Sequence, residues 1–139
     1  MNLRPDLFKA VILDVPFVDA LGSMLDDTLP LTIGEYEEWG NPQIKEDFET
    51  IKAYCPYENL TRADYPSMLV TAGFNDPRVG YWEPAKYVTK LRALNNGAPK
   101  VILKTNFDSG HFGKTGIIDR FEEIASHNAF LLTELGITS

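Results

Sequence analysis

The chain has 139 residues, 44% of them hydrophobic and 24% charged, a composition suited to one ordinary globular unit with a real core. Thirteen Lys and Arg stand against 20 Asp and Glu, giving a net charge of −7. That acid excess argues against a binder of nucleic-acid phosphates, and no apolar run reaches the ~20 residues a membrane-spanning helix needs.

Residues 9–15, Lys-Ala-Val-Ile-Leu-Asp-Val, form the first of three short, nearly continuous apolar runs. Continuity, in place of alternation, predicts a strand covered on both faces, as in a parallel sheet. Between Pro16 and Gly40 the breakers Pro30 and Gly34 leave pieces too short to assign. Asn41-Pro42 then reads as an N-cap with proline at the first helical position, opening a helix with Ile44, Phe48 and Ile51 on one face. Cys55, at the end of that helix, is the only cysteine. It is expected to be a buried packing thiol, and a chain without an internal disulfide fits a reducing, cytoplasmic compartment. The opening residues lack the apolar core of a signal peptide.

Residues 67–73 are the second apolar run and residues 100–105 the third. Between them, residues 81–95 predict a helix that tolerates Pro84 in its first turn and sets Ala85, Val88 and Leu91 on one face. Residues 117–135 predict the longest helix, with Ile117, Phe121, Ile124, Leu131 and Leu135 on a shared face and Gly136 as its stop. Strands alternating with helices predict an α/β layered sheet of about three mainly parallel strands with flanking helices.

Sites in open parallel sheets form beyond the carboxyl ends of the strands. Two such loops carry suitable polar groups: residues 73–79, with Asp76, and residues 106–113, with His111 between Gly110 and Gly113. If the second and third runs are sheet neighbours, Asp76 and His111 meet at one edge. A carboxylate beside an imidazole orients the ring and stabilises its protonated form. A hydrogen-bonded loop pair without catalytic role fits the same residues. No Gly-x-Ser-x-Gly elbow supplies a nucleophile, and neither Ser23 nor Ser109 follows a strand in the required context. Asp76, Asp108 and His111 lack the spacing of a metal site, so neither metal nor cofactor is expected.

The stretch Tyr65-Pro66-Ser67 through Asn75-Asp76-Pro77-Arg78-Val79, continued by Tyr81-Trp82-Glu83-Pro84-Ala85-Lys86, resembles the prolyl oligopeptidase family of serine peptidases, and within it the oligopeptidase B branch. Pro16-Phe17-Val18-Asp19, the segment from Gly34-Glu35-Tyr36 to Asn41-Pro42, and Gly110-His111 with Gly113 extend the resemblance over nearly the whole chain. It implies an α/β-hydrolase catalytic domain, with Asp76 and His111 as two of three triad residues. It also implies that the nucleophile elbow, the oxyanion-hole donors and a β-propeller precede residue 1. Residues 1–139 would then be a partial domain, expected to be inactive alone.

By the same resemblance Glu35 and Glu37 match an acidic pocket for the Arg or Lys before the scissile bond, giving a basic peptide as substrate. Paired carboxylates can hold a guanidinium through charge-assisted bonds. A solvated acidic turn explains them equally well without it. Arg78 could organise that pocket by pairing with acidic neighbours, or form a plain loop ion pair. Phe112 departs from the glycine usual in the family after the histidine, and is expected to narrow the site or alter the loop. Ile117-Ile118 stand where a basic residue is commoner. His127 matches no site motif.

An exposed edge on the first strand would invite pairing with another copy, so a homo-oligomer is expected. The competing functional reading is a non-catalytic unit that pairs with another chain or binds basic peptides.

Overall fold

A single sheet of three parallel strands carries the fold, in the order β1 (Ala10–Leu13), β2 (Ser67–Gly73), β3 (Val101–Asn106). The computed structural model describes residues 1–97, 99–113 and 116–137. All three apolar runs are strands, and the reason lies in β2. Its seven residues are all buried, because strands flank it on both sides and helices cover it above and below.

Alternation along β2 separates its two faces. Met68 and Val70 pack with Tyr87, Val88 and Leu91 of α4 (Trp82–Leu94), the helix of the β2–β3 crossover. Ser67 and Thr71 point the other way. The Ser67 hydroxyl donates to Glu134 (2.6 Å) on α5 (Ile117–Leu135). The Thr71 hydroxyl donates to Asp14 (3.0 Å), whose carboxylate lies 3.4 Å from Nε2 of His127 on the same helix.

The β1–β2 connection holds three helices, α1 (Ala20–Leu25), α2 (Tyr36–Trp39) and α3 (Lys45–Tyr54). A second core gathers Ala20, Leu21 and Met24 of α1 against Ile51 of α3 and Cys55. Cys55 is fully buried, its thiol donating to the Val18 carbonyl. Asn41 does not cap α3. Its side-chain oxygen accepts from Gln43 N (3.0 Å) in a local turn, and the helix begins only at Lys45. Local side-chain-to-backbone bonds of this kind compete with capping. The first turn of α3 instead carries Glu46 and Asp47, which suit the helix dipole.

Helix α5 has the predicted bounds and ends at Gly136, whose φ of +73° is the left-handed conformation that glycine adopts freely. Its apolar face is covered less than its pattern suggests. Ile117 and Ile118 are 72% exposed and Phe121 64%, while Phe130 is buried. A three-stranded sheet is too narrow to cover the first half of so long a helix. Among the described residues β1 is likewise an edge strand, paired with β2 alone. No helix among the described residues is long and apolar enough to cross a membrane.

Leu91 is fully buried between α4 and the sheet, so Leu91→Ala should cost about 2–5 kcal/mol in urea unfolding. Ile117→Ala, at an exposed position of comparable hydrophobicity, should stay within about 0.5 kcal/mol.

Candidate active site

Parallel pairing brings the ends of β2 and β3 out at one edge, Gly73 opposite Asn106. The loops that follow are joined through their backbones. Phe74 N donates to the Asn106 carbonyl (2.9 Å) and Asn75 N to the Ser109 carbonyl (3.2 Å). The Asn75 side chain adds a bond to the Phe107 carbonyl (3.0 Å). Glycine is required where they touch: a β-carbon on Gly73 would sit 2.5 Å from the Gly110 carbonyl oxygen. On the far side of His111 the loop closes with Gly113 at φ +73°, its N–H donating to the Gly110 carbonyl (3.3 Å).

This places Asp76 against His111, with 2.9 Å between Oδ2 and Nδ1. The Asp76 side chain is fully buried and the His111 side chain one-quarter exposed. The other carboxylate oxygen accepts from the backbone amides of Arg78 (2.8 Å) and Val79 (3.0 Å). Both oxygens are thus engaged and the carboxylate cannot turn. An ionised carboxylate only accepts, so Nδ1 carries the proton and Nε2 is the basic nitrogen. The pair is built to take up a proton at Nε2 while holding the ring in place.

Phe112 lines the cavity beside His111. Its ring is 83% exposed and stands edge-on to the imidazole, with centroids 5.1 Å apart. The Arg78 guanidinium lies 5.4 Å from the Phe112 centroid, a cation–π contact, and among the described residues it forms no ion pair. Glu35 lines a small cavity of about 110 Å³ together with Asp76, Arg78 and Trp82, so the fold brings three of the sequence candidates together. Glu37 is exposed at the start of α2 and does not line that cavity. A larger cavity, about 300 Å³, opens beside His111 and is lined by Asp14, Thr71, Arg120 and His127 as well. Among the described residues no group of three or more His, Cys, Asp and Glu is placed to hold a metal ion.

Sequence reasoning passed over Glu83, which is 1% exposed in the first turn of α4. Its carboxylate accepts from Asp19 N (3.0 Å) and the Ser23 hydroxyl (2.7 Å). Burial nevertheless outweighs these bonds and pushes its pKa above the ordinary carboxylate range. The only available signal was a charged residue inside an otherwise apolar helical face. Its partners lie some 60 residues away and leave no local pattern.

A profile of the prolyl oligopeptidase family matches residues 1–138. The chain belongs to the prolyl oligopeptidase family. It is 47% identical over 136 residues to Protease 2 of Moraxella lacunata, which covers 98% of this chain and 20% of that protein. It is 47% identical over 138 residues to dipeptidyl aminopeptidase BI of Pseudoxanthomonas mexicana, covering 99% of this chain and 19% of the relative. The structure of oligopeptidase B from Leishmania major superposes with a TM-score of 0.96 at 41% identity, over 99% of this chain and 19% of that one. The chain therefore spans about a fifth of the length of the relatives it matches, and within the family it is oligopeptidase B-like. Its parallel sheet with flanking helices is part of an α/β-hydrolase fold.

Two measurements probe this geometry. Gly73→Ala must push the His111 loop away, so it should lower stability by about 1–3 kcal/mol and disturb the His111 ring signals in NMR spectra. Because folding raises the Glu83 pKa, the folded state binds that proton more tightly than the unfolded one. Its contribution to stability is present below the ordinary carboxylate value and lost as pH rises through the folded value. Glu83→Gln should remove that loss, so the stability difference between variant and parent should shift in favour of the variant from pH 4 to pH 7.

Proposed function

We propose that this chain supplies the Asp76–His111 part of a serine peptidase site, the nucleophilic serine coming from polypeptide outside these 139 residues. The observation that carries the reading is the buried Asp76 carboxylate, pinned by two backbone amides and bonded to His111 Nδ1 at 2.9 Å. Membership of the family supports it. In the assembled site the serine hydroxyl attacks the peptide carbonyl while His111 Nε2 takes its proton. The imidazolium, stabilised by Asp76, returns that proton to the leaving amine and frees it. Water then attacks the acyl-enzyme by the same route, with His111 again taking and returning the proton.

The substrate side chain on this reading is Arg or Lys, held by Glu35 in the cavity beside Asp76, with the exposed Glu37 two residues on adding negative charge. Arg78 lines the same cavity while its guanidinium stacks over Phe112. The single buried thiol of Cys55 fits a cytoplasmic setting.

A second property is favoured by the uncovered first half of α5 and the open edge of β1. These surfaces support association with another chain, a second copy included.

The 139-residue chain alone should not cleave an arginyl chromogenic peptide. Combined with a polypeptide bearing the family's nucleophile segment it should do so, and His111→Ala should then lower turnover by roughly 10⁴-fold or more. Turnover that survives this substitution would remove His111 from the reaction. Light scattering should find the isolated chain larger than a monomer, and a mass that stays monomeric at the highest soluble concentration would refute self-association.

A further inference from the structure

An unbroken line of buried bonds links the first turn of α4 to Glu35. Glu83 Oε1 accepts from the Ser23 hydroxyl (2.7 Å). The Ser23 carbonyl accepts from the Thr32 hydroxyl (2.9 Å), and the backbone N–H of Glu35 is shared between the Thr32 (3.2 Å) and Leu31 (3.1 Å) carbonyls. Glu83, Ser23 and Thr32 are all buried, at 1%, 7% and 4% exposure. Glu83 Oε2 meanwhile accepts from Asp19 N at the start of α1 (3.0 Å), so one carboxylate grips α1 at two points a turn apart.

The other end of this line is equally fixed. Glu83 N donates to the Gly80 carbonyl (2.9 Å), one residue beyond the Asp76–Val79 turn that holds the catalytic carboxylate. The Glu35 segment and the Asp76–Arg78 turn thus both line the small cavity, and Glu83 is bonded to each of the two segments, directly at Gly80 and through Ser23 and Thr32 at Glu35. Outside this line, Lys86 pairs with the Asp19 carboxylate, but that lysine is half exposed and ties α1 only from the solvent side. A buried carboxylate is costly, and an apolar side chain could fill the same space without that cost. What an apolar side chain could not do is hold two donors on α1 at fixed distance from the Asp76 turn.

We infer that Glu83 is a positioning residue for substrate selection: it sets the distance between Glu35 and the Asp76–His111 pair, and through it the preference for a guanidinium. The inference rests on the reading of Glu35 as the partner of the substrate's basic side chain. Glu83 touches no substrate. Ser23 and Thr32 relay its position.

The test uses the 139-residue chain and two probes of equal shape, N-acetyl-arginine amide and its neutral citrulline counterpart, titrated by NMR. The parent should prefer the arginine probe. Glu83→Ala should lower the arginine-to-citrulline ratio at least about fivefold, as should Ser23→Ala, which cuts the line and leaves the carboxylate in place. Glu83→Gln, which keeps one accepting oxygen but turns an NH2 toward the other donor, should restore only part of the ratio and fall between Glu83→Ala and the parent. In parallel, hydrogen exchange at the Glu35 amide should accelerate about tenfold in Glu83→Ala while the Val79 amide keeps its protection.

A variant that merely loosens the fold would weaken both probes alike and expose both amides, which counts against the inference. A ratio lost in Glu35→Gln but kept in Glu83→Ala and Ser23→Ala overturns it alone. A ratio unchanged in Glu35→Gln, or no preference in the parent, refutes the reading of Glu35 on which it rests. Should Glu83→Ala fail to fold, Ser23→Ala and Glu83→Gln decide the matter.

Discussion

The pairing of β2 with β3 is the constraint from which the site follows. Six residue pairs, from Met68 with Val101 to Gly73 with Asn106, bring both strands to an end at the same level. Shifting that register by one residue would displace one loop by about 3.3 Å and turn its strand's faces inside out. A 2.9 Å contact between Asp76 and His111 could not survive it. The register in turn depends on β2 being buried throughout, since only one alignment places Met68 and Val70 on α4 with Thr71 beside Asp14.

The same order governs where charge is tolerated inside. The chain carries 20 acidic residues, yet three of the buried ones, Asp19, Asp76 and Glu83, are each bound by specific donors. Each sits where a connection meets a helix or strand end, so each fixes a junction that packing alone would leave loose. Asp76 fixes the turn before α4 and the ring of His111. Glu83 fixes α1 against α4. Buried acids here are joints.

What could be read from the sequence was what short-range pattern encodes. Three continuous apolar runs became three strands, since burial on both faces removes the need for polar alternation. The period of residues 117–135 and Gly136 fixed the longest helix at both ends. Asp76 and His111 were visible because each follows an apolar run at the same end, and parallel strands align such ends. The segment between Pro16 and Gly40 was opaque, because a six-residue helix, a 3-10 turn and a four-residue helix are too short to show a period. Helix α5 misled in a different way: an amphipathic pattern records that a face is to be covered, not what covers it. The cation–π contact of Arg78 with Phe112 and the bonds of Glu83 depend on residues that meet only in the folded chain.

The stitching of the Asp76 and His111 loops bears on how this site tolerates change. Phe74 and Asn75 are tied to Asn106 and Ser109 by peptide groups, which every amino acid except proline possesses in full. Side chains at the exposed positions 74 and 107 can therefore vary while the loops stay in register, whereas Ser109 is buried and Gly73 is the place where almost nothing else fits. The exposed rings of Phe74 and Phe107, whose centroids lie 5.4 Å apart, occupy such permissive positions. A lineage could redecorate the rim of this cleft, residue by residue, without once disturbing the two atoms that must meet at its centre.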